Sequence, residues 1–220
     1  GFMHLYRFDT NGKLINQITK GDWVVTEIAG QNAKAKELLI VTTKDSPKER
    51  HLYAVNWENG KMRKLTKDAG THNPSISTSG IYAIDNWSND TTPRKIDLIN
   101  AKSGKSENLL TAKNPLEGYK TAKVENVTLK ADDGTDLYGK LIYPNNFDAT
   151  KKYPVVVYLY NGPHAQLITN RFPASGNLWY DHLAEKGYVV FTMDGRGSAH
   201  RGLKYEQAIH GKAATTEMDD

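Results

Sequence analysis

The chain has 220 residues, a formal net charge of +4, 38% hydrophobic and 25% charged residues, and no cysteine. That composition is ordinary for a globular chain long enough for one large domain or parts of two, and it excludes disulfides, thiolate catalysis and cysteine-based zinc sites within these residues. No apolar run approaches the ~18 residues of a membrane-spanning helix. The densest basic run, Lys61-Met62-Arg63-Lys64, falls in a predicted hairpin arm and reads as a solvated strand face, not a nucleic-acid site.

Gly1-Phe2-Met3-His4-Leu5-Tyr6 already reads as strand, so the natural N-terminus is expected upstream. His4–Asp9 alternates, turns at Thr10-Asn11-Gly12-Lys13 and returns over Leu14–Thr19. Asn-Gly between alternating runs predicts a hairpin, because both turn residues can take φ > 0. The unit recurs as His51–Val55, Glu58-Asn59-Gly60-Lys61 and Met62–Lys67, and more weakly as Lys95–Ile99, Ser103-Gly104-Lys105 and Ser106–Leu110. Further strands are predicted at Glu37–Thr42 and Ser79–Asn86. Tyr6 and Tyr53 lie 47 residues apart. A period in the forties with four short strands per unit favours propeller blades over an ordinary antiparallel domain. Three copies do not close a ring, so residues 1–120 read as the last, incomplete blades of a β-propeller, with at least half of it upstream.

Asn114-Pro115-Leu116-Glu117-Gly118 reads as a linker. Val124–Lys130 and Asp136–Tyr143 form a hairpin about Asp132-Asp133-Gly134-Thr135, and Pro144–Asp148 is a loop. Tyr153–Tyr160 is a nearly continuous apolar strand, expected to be buried on both faces. Asn177–Lys186 is predicted as a helix with Leu178, Trp179, His182 and Leu183 on one side and Gly187 as its stop. Tyr188–Met193 is a second buried strand, Asp194-Gly195-Arg196-Gly197-Ser198 a tight loop, and Leu203–His210 a helix with Tyr205, Ala208 and Ile209 as its apolar side. A hairpin followed by strand–helix–strand–helix predicts a mixed sheet that becomes parallel. Residues 121–220 therefore read as the N-terminal part of an α/β-hydrolase domain.

Such a hydrolase needs a serine on a G-x-S-x-G elbow, followed by an acid and a histidine. Ser175 and Ser198 come nearest, but neither has glycine at both flanking positions, and both read as loop serines. The histidines show no metal-ligand spacing. His182 and His210 read as surface or packing residues. His164, past the first buried strand, lies at the edge where open α/β sheets gather ligands, although a plain loop histidine is the preferred reading. Tyr160-Asn161-Gly162-Pro163 is the most informative segment. A hydroxyl there can donate to a developing oxyanion. The residues alone leave two readings of Tyr160 open, an oxyanion donor or a core tyrosine with an incidental hydroxyl.

Lys152–Pro163 resembles the K-x-Y-P…Y-x-G-P segment of the prolyl oligopeptidase family, and Phe191–Ser198 resembles its D-x-R-G-S loop. Tyr205–His210 with Glu217-Met218-Asp219-Asp220 is similar to the dipeptidyl peptidase IV branch, as are Gly1–Tyr6 and Leu14–Trp23 to its late blades. The resemblance implies a serine exopeptidase that removes N-terminal dipeptides with proline or alanine second. It assigns Tyr160 the oxyanion hydroxyl, and it puts the serine, aspartate and histidine of the triad beyond residue 220. Arg196 is expected in structural ion pairs. The resemblance further implies peptide substrates with a free N-terminus, a homodimer, a periplasmic or secreted location and no cofactor. Tripeptidyl and acylaminoacyl peptidases of the family, and a non-catalytic peptide-binding relative, remain alternatives.

Overall fold

The structure, a computed structural model, describes residues 1–212 and 214–220 and is mostly sheet. Strands β1 (Tyr6–Phe8) and β2 (Leu14–Gln17) form a two-stranded sheet. Strands β3 (Val25–Asn32), β4 (Glu37–Thr42), β5 (His51–Asn56) and β6 (Met62–Lys64) form a four-stranded antiparallel meander in chain order. A second meander follows in β7 (Thr71–Ile76), β8 (Tyr82–Ser88), β9 (Lys95–Asn100) and β10 (Ser106–Thr111). No sheet among the described residues closes into a barrel, and no helix there is long and apolar enough to cross a membrane.

The recurring turns share one mechanism. The Asn56 side chain accepts from the N–H groups of Glu58 and Asn59, and Gly60, at φ 71°, donates back to the Asn56 carbonyl. Asn100 repeats this with Lys102, Ser103 and Gly104. In the first copy Asp9 takes the asparagine's place. The expectation of φ > 0 at both Asn and Gly is corrected: only the glycines sit in the left-handed region, because the Asp or Asn at the loop's start holds the backbone before them.

Strands β3 and β7 went unpredicted. Strand β3 carries two register shifts that break its alternation. Strand β7 contains Pro74, which an edge strand tolerates because its N–H side need not pair. Leu39, Leu52, Ala54 and Leu65 of the first meander pack against Ala83, Ile99 and Ala101 of the second. Ile40, Tyr53 and Val55, on the first meander's other face, pack with Ile18 and Trp23 after the β1–β2 hairpin. The first meander's central strands are thereby covered on both sides.

The fourth sheet joins β11 (Lys123–Lys130), β12 (Asp136–Tyr143), β13 (Val155–Leu159) and β14 (Val189–Asp194) in the order β11-β12-β14-β13, with β13 and β14 parallel. Between them runs α1 (Leu178–Glu185), capped by Asn177, whose Oδ1 accepts from the Trp179 N–H, and followed by Gly187 at φ 90°. Its buried residues are Tyr180 and Ala184, which pack on Ile142 and Val190. The predicted face is corrected accordingly: Leu178, Trp179 and His182 are exposed, and only Leu183 is partly buried.

The predicted helix over Leu203–His210 is shorter. It is α2 (Leu203–Glu206) running into a 3₁₀ turn over Gln207–Ile209, and α3 (Thr216–Asp219) follows. Tyr205 packs on Leu137 and Met193 on the opposite sheet face. The expectation that Tyr153–Tyr160 is buried on both faces is also corrected. Strand β13 is an edge strand, and Val155, Val157, Tyr158 and Leu159 are exposed.

Candidate active site

Strands β13 and β14 run parallel, so both C-terminal ends, and the loops after them, meet at one edge of the sheet. Tyr160 follows β13 directly. It is 60% exposed, so the core-tyrosine reading does not describe it. Its ring lies back across Gly162: a Cβ there would approach the ring Cε1 to 2.6 Å, so glycine is what lets the phenol take this position.

The loop after Tyr160 is tied down on two sides. At the end of β14, the buried Asp194 carboxylate accepts from the N–H groups of Leu167 at 2.8 Å and Ile168 at 2.9 Å. Burial raises the Asp194 pKa, partly offset by those two N–H groups. The Asn161 Oδ1 accepts from the Gly195 N–H at 2.8 Å. The other side of the loop meets the first meanders. Arg50 Nη2 donates to Gln166 Oε1 at 2.6 Å, and Gln166 Nε2 donates to the Pro47 carbonyl. Asn170 bonds across this seam with every polar group it has. Its N–H donates to the Lys48 carbonyl, its carbonyl accepts from Thr71 Oγ1, its Nδ2 donates to Glu49 Oε1 and its Oδ1 accepts from the Asp90 N–H. Lys140 of β12, also buried, reaches Asp90 at 3.2 Å and the carbonyls of Thr169 and Ala174. The Tyr160 loop therefore lies where the antiparallel meanders meet the mixed sheet.

Burial pulls the Arg50 guanidinium down to about 10. His200, in the loop after β14, is lowered to about 4 by burial and by the Arg50 charge. Arg196 sits in ion pairs with Asp220 at 2.6 Å and Asp133 at 3.3 Å; the Asp220 bond is the main cause of its raised pKa. Ser198 is buried, and the Ser175 Oγ donates to Asp181 Oδ2 at 2.5 Å. Neither serine faces a histidine among the bonds of the described residues. His182 is exposed and stacks on Trp179, and His210 is exposed too. His164 is exposed at φ 64° and borders a groove of 430 Å³ with Leu203, Glu206, Ile209 and His210. No cluster that can hold a metal occurs among the described residues.

Asn161 was named from the sequence only within the Tyr160–Pro163 segment, without a role, and Asn170 and Lys140 were not singled out. For Asn161 a signal existed, because Asn-Gly marks a turn and Asn tolerates φ > 0. For Asn170 and Lys140 none existed, since their partners lie far away in the chain.

Comparison with known proteins places these features in a family. Residues 1–94 match the dipeptidyl peptidase IV N-terminal region, and residues 177–220 match the prolyl oligopeptidase family. Human dipeptidyl peptidase 8 is 34% identical over 92% of this chain and 24% of its own length. Dipeptidyl peptidase 4 of Trichophyton equinum is 30% identical over 100% of this chain and 29% of its own. The chain thus spans less than a third of these relatives. The crystal structure of Porphyromonas gingivalis dipeptidyl peptidase 4 matches with a TM-score of 0.90 at 30% identity, over 100% of this chain and 31% of that one. A Bacteroides ovatus protein assigned as a dipeptidyl aminopeptidase IV matches with a TM-score of 0.81 at 40% identity, over 94% of this chain and 30% of that one. This chain belongs to the prolyl oligopeptidase family, in its dipeptidyl peptidase IV branch.

Proposed function

We propose that the intact protein is a serine-type exopeptidase that releases dipeptides, with proline or alanine second, from the free N-terminus of peptides, and that Tyr160 donates its hydroxyl to the oxyanion. In this reading residues 1–120 are the last blades of a β-propeller and residues 121–220 open an α/β-hydrolase domain. Two stacked four-stranded meanders support the first assignment. A hairpin leading into a parallel pair joined through α1 supports the second.

The observation that carries the reading is the exposed phenol of Tyr160 at the C-terminal edge of the parallel pair, propped over Gly162. When a nucleophile attacks a peptide carbonyl, the oxygen becomes negative. A donor already held in place stabilises that charge without reorganising during the step. The names of the human and fungal relatives support dipeptide release. In this reading the nucleophile and its acid–base partners belong to other parts of the intact protein; these 220 residues contain no G-x-S-x-G.

In the full-length protein, Tyr160→Phe is expected to lower kcat on a Gly-Pro chromogenic substrate about a hundredfold with little change in KM. An unchanged kcat overturns the assignment of Tyr160. Release of product from an amino-blocked substrate overturns the dipeptide assignment.

A further inference from the structure

We infer that Asn161 is the positioning residue for the Tyr160 hydroxyl, pinning the turn that carries the tyrosine to the backbone at the end of the neighbouring parallel strand. The inference rests on the oxyanion reading of Tyr160.

Three unfavourable features meet at this one residue. Its φ is 48°, a region that side chains other than Asn and Asp rarely enter. Its side chain is polar, yet the residue is only 2% exposed. Its Nδ2 is buried without a hydrogen-bond partner among the described residues, and an unpaired buried donor is unfavourable because it has given up its bonds to water. The amide cannot be turned round to relieve this, because the Gly195 N–H demands an acceptor and Oδ1 supplies it at 2.8 Å. Nor is there slack beside it: a Cβ on Gly195 would lie 2.7 Å from Nδ2. A native fold keeps costs of this kind together where function requires the geometry.

The geometry held is that of Tyr160. On its N-terminal side the backbone is fixed by the β13–β14 ladder, whose last pair is Leu159 with Met193. On its C-terminal side the Asn161–Gly195 bond fixes it to the start of the loop after β14. The tyrosine is thus clamped between two attachments, one to β14 and one to the residue that follows it. Loss of the second frees the turn to pivot and carries the phenol away from the oxyanion. A displacement of about 1 Å at such a group can cost ~100-fold in rate.

The test uses the full-length protein and a Gly-Pro chromogenic substrate, with Asn161→Ala and Asn161→Gly made alone and together with Tyr160→Phe. Glycine retains the left-handed turn and removes only the amide anchor, so it also carries the test if the alanine variant does not fold. Both single variants are expected to lower kcat roughly tenfold with KM within about twofold, and neither is expected to lower kcat further when Tyr160 is already phenylalanine. A kcat for Asn161→Gly within about twofold of the parent, or a loss that multiplies with that of Tyr160→Phe, overturns the inference. If Tyr160→Phe is damaging and the Asn161 variants are not, this inference alone falls. If Tyr160→Phe leaves kcat intact, the oxyanion reading falls and takes the inference with it.

Discussion

Strands β5 and β13 are both strongly apolar, one reading Leu52-Tyr53-Ala54-Val55 and the other Val155-Val156-Val157-Tyr158-Leu159. Their fates differ. The first is buried along nearly its whole length, while four of the five residues of the second are exposed. The cause is position. Strand β5 has β4 and β6 on its flanks, a second meander over one face and the Ile18–Trp23 segment over the other. Among the described residues, strand β13 has a neighbour only in β14. An apolar pattern states that a strand can be buried; the strands and sheets beside it decide whether it is.

This contrast can be broken or sharpened most strongly in the core. In the 220-residue chain, Leu52→Ala is expected to cost about 2–5 kcal/mol of unfolding free energy in urea. Val157→Ala, on the exposed edge strand, is expected to cost under ~1 kcal/mol. Equal losses at the two positions would end the comparison. In any longer chain that adds a strand to this edge, the Val157 loss should rise toward the Leu52 value, which is the sharper form of the same test.

The seam between the two regions gives an intermediate effect. Asn170→Ala removes the side-chain bonds to Glu49 and Asp90 and strands the Asp90 N–H. It is expected to cost about 2 kcal/mol. Protease cleavage within residues 161–170 should rise with it, and an unchanged cleavage rate and urea midpoint would show that the two regions are joined elsewhere.

The last effect is one of pH. His200 has its pKa lowered from 6.5 to about 4 in the folded chain, mainly by burial and further by Arg50. Between those values the unfolded chain binds a proton that the folded chain does not, so stability rises with pH across the window. The contribution of His200 is complete above pH 6.5 and fades as pH falls toward about 4. Melting temperatures of the parent should therefore fall faster over this range than those of His200→Gln. Parallel curves would remove His200 as the cause.

Much of the fold was legible because its signals are local. The Asn-Gly and Ser-Gly turns, recurring at Gly12, Gly60 and Gly104, marked three hairpins, and the predicted helix Asn177–Lys186 agreed with α1 within a residue at each end. Strands β3 and β7 were illegible for equally local reasons, register shifts in one and a proline in the other. At the candidate site, Tyr160 could be read from its place after an apolar strand and before Gly162-Pro163. What surrounds it could not.

The amino-acid order alone set the turns, the alternating strands, the family likeness and the prominence of Tyr160, since each depends on residues within a few positions of one another. Only the folded chain decided that β13 is an edge, that Asn161 holds Gly195 across 34 positions, and that Asn170 reaches Glu49 across 121. Those outcomes follow from which surfaces close on each other. A hydrogen bond between groups so far apart in the chain leaves no mark on the residues beside either partner.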